Sequence, residues 1–170
     1  MEGWIQWIVA AGVIYILSQS QQEEPGSDET IDVSFSSPVY PIIMRNDAAG
    51  SGYFGAPRGN NLHQGVDLIA NPGQEVYSPI TGRVVRWAYP YTDPSMKGIL
   101  IEADDGTSVK MFYFDPTVAP NQQVTRGEMI GYMQSVSSYY NSSVMLDHIH
   151  LELRKNGQLL DPWPALNANV

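Results

Sequence analysis

Cysteine is absent from this 170-residue chain, so no disulfide and no thiolate metal site can form. That absence fits any compartment and implies nothing about redox setting. Positive charge is scarce: nine Lys and Arg stand against eighteen Asp and Glu, a net charge of -9 with a pI near 4.5. No Lys or Arg precedes Arg45. A chain this acidic lacks the basic face that nucleic acids require, and no nucleic-acid partner is expected. Internal repeats are missing, and no stretch after Asp32 has a long helical period. Histidine is also sparse, with three in the whole chain.

Hydrophobic residues make up 43% and charged ones 16%, the balance of a folded domain with a sizeable core and a short appendage. The appendage is N-terminal. From Gly3 to Gln22 there is no charge, and Trp4 to Leu17 is apolar except for Gln6. Fourteen helical residues reach about 21 Å, against a hydrocarbon core of about 30 Å. With the neutral flank to Ser20 a thinned bilayer is crossable, and Trp4, Trp7 and Tyr15 suit its interfaces. A cleaved signal peptide fits less well, because Glu2 stands where a basic region belongs and no A-x-A-like site follows. A core helix would be amphipathic, whereas this stretch is apolar all round. The expected organisation is a membrane anchor over residues 1–20, a flexible acidic linker over 21–35 and a folded domain over 36–170. The acidic linker leans towards the non-cytoplasmic side.

Within that domain, short segments rich in Val, Ile and aromatics predict strands at Glu75–Ile80, Arg83–Tyr89, Gly98–Ala103, Ser108–Phe114, Met129–Gln134 and His148–Arg154. Turn signals separate them, Asp105-Gly106 and Asn156-Gly157 being the strongest hairpin signatures. The fold class is mostly β and antiparallel.

The three histidines fall into two motifs, His63-Gln-Gly-Val-Asp67 and His148-Ile-His150. On a strand, His148, His150, Glu152 and Arg154 share one face, while Ile149, Leu151 and Leu153 share the other. A sheet does not need the polar row for stability. His63 and Asp67 would lie about 13 Å apart on a straight strand, too far for one ion, but Gly65 allows the chain to bring them together. Imidazoles with an acidic oxygen suit zinc, and three protein ligands leave its fourth position open, as catalytic sites do. One histidine of the H-x-H pair can bind the metal while its neighbour reaches a water there. A cupin places H-x-H early with a later histidine, and zincins carry H-E-x-x-H on a helix; neither pattern is present.

The ordered set His63-x-x-x-Asp67, a β-rich stretch and His148-x-His150-Leu-Glu-Leu-Arg154 resembles the lysostaphin/LytM-type zinc metalloendopeptidases that cut peptidoglycan peptides. Tyr53-Phe-Gly55 with Arg58 looks like that family's entry segment, and Pro79-Ile-Thr-Gly-Arg-Val84 like the turn into its next strand. Val124-Thr-Arg-Gly-Glu-Met-Ile-Gly131 is similar to its V-x-x-G-x-x-I-G hairpin. Arg154-Lys-Asn-Gly157 with Asp161-Pro162 resembles its closing segment. The resemblance implies a folded antiparallel sheet of the LytM/lysostaphin peptidase type, here with an N-terminal membrane-anchor helix. It implies Zn2+ held by His63, Asp67 and His150, and His148 as the catalytic histidine. Arg58 is the candidate substrate-groove contact. Tyr53, Phe54, Tyr139 and Tyr140 are candidate groove walls.

Two positions depart from the pattern. The family usually carries a second catalytic histidine in a Y-x-H segment, and aligning it on Met111-Phe-Tyr-Phe-Asp115 sets Phe114 in its place. Losing a positioned acid–base group costs about 10²–10⁴-fold in rate, so turnover could be low without being absent. Asp147 stands where a small residue or proline is common. The implied partner is peptidoglycan peptide, with the membrane contacted through the N-terminal segment. Two readings follow: a zinc endopeptidase, or a zinc- and peptidoglycan-binding relative without turnover in a regulatory or structural role. The implied setting is an envelope membrane with the peptidase facing peptidoglycan, or the virion membrane of a phage.

Overall fold

The computed structural model describes residues 35–168 except Asp93. The anchor over 1–20 and all of the linker but Phe35 lie outside the described residues. Among those described, no helix is long and apolar enough to cross a membrane.

Two short hairpins come first, β1–β2 (Asn46–Asp47, Gly50–Ser51) and β3–β4 (Pro57–Arg58, Asn61–Leu62). They lead into β5 (Val66–Ile69), β6 (Glu75–Tyr77), β7 (Gly82–Ala88), β8 (Gly98–Glu102) and β9 (Thr107–Phe112). The chain continues through β10 (Phe114–Pro116), β11 (Gln123–Val124), β12 (Met129–Met133) and a short helix α1 (Val136–Tyr139). It closes with β13 (His148–Lys155), β14 (Gln158–Leu160) and α2 (Trp163–Asn167). The expected strands therefore form, with ends shifted by a few residues.

Seven strands make the main antiparallel sheet, in the order β11-β7-β8-β9-β13-β14, with β5 pairing the first half of β13. A second sheet runs β10-β12-β6. One apolar cluster joins both, taking Ile99, Ile101, Val109, Met111, Ile149 and Leu151 from the first and Val76, Phe114 and Ile130 from the second, each fully buried. Phe35 is also fully buried, so the core begins with the first described residue. At the β13–β14 turn, Asn156 (φ 50°) and Gly157 (φ 82°) both adopt left-handed backbone, the conformation that an Asn-Gly two-residue hairpin demands.

β13 has β9 along one edge and β5 and then β14 along the other. Its odd residues Ile149, Leu151 and Leu153 are at most 2% exposed and belong to the core. Its even residues project from the opposite face, where the site lies.

Candidate metal centre

In the β13 register, His150 stands opposite Asp67 of β5 on one side and Phe112 of β9 on the other. Directly opposed residues on antiparallel strands have Cβ atoms about 4.5–5.5 Å apart, so pairing alone brings Asp67 to His150. His63 arrives from the segment before β5. A Cβ on Gly65 would lie 2.2 Å from the Leu151 carbonyl oxygen, so glycine is required for this segment to approach β13 closely.

The donor atoms meet at one point. His63 Nε2 lies 3.0 Å from His150 Nδ1, and Asp67 Oδ1 lies 3.1 Å from the first and 3.0 Å from the second. Ligand atoms around tetrahedral zinc, with bonds near 2.0–2.1 Å, stand about 3.3 Å apart, so the spacing fits that ion. The outer nitrogens fit it as well. His63 Nδ1 donates to the Tyr53 carbonyl at 2.9 Å, leaving Nε2 bare, and His150 Nε2 faces Glu152 Oε1 at 3.5 Å, leaving Nδ1 bare. Carbonyl and carboxylate partners of this kind fix tautomer and ring orientation in metal sites. The set could hold a zinc ion with one position open.

Asp67 is buried, and its second oxygen is gripped by arginines, Arg58 Nη2 at 3.1 Å and Arg45 Nη2 at 3.3 Å. Burial alone would raise its carboxyl pKa, and the neighbouring His150, His63 and His148 imidazoles hold it well below the usual range. Arg58 thus sits in the site with a third of its side chain exposed and its guanidinium on Asp67 and on the Ser51 carbonyl. Arg45 was not singled out from sequence. It is buried, and it joins Asp67 to Asp47, whose carboxylate also accepts from the Leu146 amide at 2.8 Å. An isolated Arg in a loop carries no pattern that marks it; its role exists only once β5 lies beside it.

His148 points its Nε2 towards Asp67 Oδ2, 3.9 Å away, and its Nδ1 donates to the Leu146 carbonyl at 2.7 Å. Burial lowers its pKa, partly offset by Asp67. A neutral imidazole with Nε2 bare can accept a proton beside Asp67.

The structure corrects the placement of Phe114. β9 ends at Phe112, and Tyr113 adopts a left-handed backbone (φ 78°) that breaks strand alternation before β10 begins. Phe114 therefore goes fully into the core, and Tyr113 turns to His148, ring centroids 5.2 Å apart and edge-on. The residue beside His148 is thus a tyrosine. Its hydroxyl lies 3.3 Å from that of Tyr91, and burial raises its pKa far above the normal phenol value, so it stays a hydrogen-bond donor.

Of the candidate groove walls, Tyr140 lines the cavity of about 400 Å³ around the histidines, beside Tyr91 and Tyr113. Tyr139 stacks on Tyr91, Tyr53 packs edge-on against Trp163, and Phe54 packs against the core. Asp147 accepts from the Ser137 amide at 2.8 Å and from the Ser135 and Ser137 hydroxyls, which pins the helix carrying Tyr139. Glu152 pairs with Lys110 at 2.7 Å, whereas Arg154 stays 3.9 Å away.

Comparisons with known proteins identify relatives of this chain. The family model described as peptidase family M23 matches residues 61–162. Leukocyte cell-derived chemotaxin-2 from Bos taurus is 33% identical over 122 residues, covering 71% of this chain and 76% of that protein. The fold is similar to that of lysostaphin from Staphylococcus simulans, with a TM-score of 0.59 at 20% identity, over 80% of this chain and 55% of that one. The catalytic domain of the prophage-encoded M23 protein EnpA from Enterococcus faecalis aligns with a TM-score of 0.53 at 20% identity, over 73% of this chain and 91% of that one.

Proposed function

The chain belongs to peptidase family M23, and we propose that it is a zinc-dependent endopeptidase that hydrolyses peptide bonds of bacterial peptidoglycan. The observation that carries this reading is the meeting of His63 Nε2, Asp67 Oδ1 and His150 Nδ1 within 3.1 Å of one another, with His148 beside them. When bound, zinc supplies a Lewis acid that polarises a carbonyl and acidifies water.

The chain's own groups do the rest. Arg45 and Arg58 hold Asp67 Oδ2, which keeps Oδ1 turned to the two imidazoles. Leu146 fixes the tautomer of His148, whose Nε2 takes the proton of the attacking water and returns it to the leaving amine. The Tyr113 phenol, still protonated at neutral pH, donates to the oxygen that gains charge as the carbonyl becomes tetrahedral. Tyr91 and Tyr140 wall the groove in which the peptide lies.

A second reading is favoured by Tyr113 itself. A phenol cannot take up a proton as an imidazole does, so the protein binds zinc and peptide and turns over slowly or not at all. For the setting, the uncharged, apolar N-terminal stretch supports tethering to a membrane, with the domain facing peptidoglycan in an envelope or a phage virion.

A gel impregnated with peptidoglycan separates the two activities. Clearing that disappears with a chelator and in His63→Ala supports the peptidase. Stoichiometric zinc uptake without clearing supports the binder, and no zinc uptake overturns both.

A further inference from the structure

The polar face of the main sheet does not end at the metal centre. Two residues beyond His150, Glu152 begins a second cavity of about 470 Å³, lined among others by Arg86, Glu102, Lys110 and Arg154. Register explains the grouping: Glu152 stands opposite Lys110, Lys110 opposite Leu100 and Leu100 opposite Arg86, while Arg154 stands opposite Ser108 and Ser108 opposite Glu102. Three of the nine basic residues of an acidic chain thus converge on one hollow with two carboxylates.

The polar groups there are incompletely used. The Glu152 side chain is only 6% exposed, and its Oε2 is buried without a hydrogen-bond partner, while Oε1 takes Lys110 at 2.7 Å. A buried carboxylate oxygen with no donor is costly, which a ligand donor would relieve. Arg86 and Arg154 each spend Nη1 on a backbone carbonyl, of Trp87 at 3.0 Å and Gly157 at 3.3 Å. Arg154 Nη2 also stands 3.9 Å from Glu152 Oε2, beyond hydrogen-bond reach, and the other guanidinium N–H groups are left for the cavity.

We infer that this cavity binds a zwitterionic amino-acid head group, its carboxylate on Arg86 and Arg154 and its ammonium on Glu152 and Glu102. Donors and acceptors of both signs lie within one hollow, whereas a purely anionic ligand would leave the Glu152 oxygen unpaired and a purely cationic one would face three basic side chains. The cavity starts about 6.6 Å along the strand from His150, so two or three extended residues link a head group there to a peptide bond at the metal centre. The site would then read an amino-acid branch or end near the bond to be cut. The inference rests on the peptidoglycan reading for the identity of the peptide, while the cavity's chemistry stands apart from hydrolysis.

The test is titration of the zinc-loaded full chain with L-Ala-γ-D-Glu-meso-diaminopimelate, followed by calorimetry and amide chemical shifts. Controls are the same tripeptide amidated at the free carboxylate of its side chain, and the lysine tripeptide that lacks that carboxylate. Saturable binding with shifts at Ser108, Glu152 and Arg154 is expected. It should weaken about tenfold or more for both control peptides and for the double variant Arg86→Gln/Arg154→Gln, as loss of hydrogen bonds to a charged group predicts. The variant side chains are solvent-accessible, and unchanged zinc content and circular dichroism confirm its fold. Equal affinity for all three peptides, or a double variant that binds as well as the parent, overturns the inference. Binding of this pattern without any peptidoglycan clearing leaves it standing and removes only the peptidase reading.

Discussion

The two faces of β13 are built from alternate residues of one eight-residue segment, yet different physics holds them. Ile149, Leu151 and Leu153 belong to a cluster in which each side chain touches many others, and the stabilisation scales with buried area rather than direction. His148, His150 and Glu152 each depend on a named atom: the Leu146 carbonyl, Asp67 Oδ1 and Lys110 Nζ. The apolar face decides whether the chain folds; the polar face decides what the folded chain can do.

Substitutions on either face break that contrast in opposite ways. The largest effect is expected from His63→Ala, which takes one of the three proposed ligands from the site. Metal analysis should fall from stoichiometric zinc to none and clearing should vanish, and retained zinc would show that the ion sits elsewhere. His148→Ala should keep the zinc and lose about 10²–10⁴-fold in hydrolysis, because it removes the proposed proton acceptor alone. Loss of zinc in that variant would reassign His148 as a ligand.

On the other face, Leu151→Ala should cost about 2–5 kcal/mol in denaturant unfolding while the folded fraction binds zinc as before. A smaller stability change accompanied by zinc loss would mean that the faces are coupled. The neighbouring strand end sharpens the same point. Tyr113→His should raise hydrolysis with little loss of stability, since that side chain faces His148. Phe114→His should gain no activity and lower stability by about 1–3 kcal/mol or more, because it buries a polar ring in the core.

The smallest effect belongs to the surface ion pair of Lys155 with Asp105, 2.7 Å apart. The hydrogen bond from Lys155 lowers the Asp105 pKa to about 2. A lowered carboxyl pKa adds stability above the unfolded value, and that stability fades as pH falls from about 4 to about 2. Exposed pairs contribute about 0–1 kcal/mol, so Lys155→Met should shift the acid-unfolding midpoint only slightly. A shift as large as that of Leu151→Ala would contradict the assignment.

Much of this was legible in the residues. Alternation along His148–Arg154 assigned both faces of β13, and Asn156-Gly157 marked the hairpin after it, because side-chain direction in a strand and left-handed backbone in a turn are local properties. The grouping of His63, Asp67 and His150 was legible because all three histidines fall into two motifs of a single chain. Less legible was Gly65, expected to let the chain bring His63 to Asp67. In the fold it lets one segment lie against the Leu151 carbonyl, a contact between residues far apart in sequence.

What the sequence determined by itself is the chemistry on offer: an antiparallel β chain with its histidines and a carboxylate set at metal-binding intervals. What the tertiary structure decided is which atoms meet. The left-handed turn at Tyr113 sent Phe114 inward and brought a phenol to His148, and the pairing of the Met44–Arg45 segment with β5 set Arg45 on Asp67. Strand periodicity foretells a side chain's direction only while alternation persists. A single residue with positive φ resets it, and the contacts that impose that φ come from the rest of the fold.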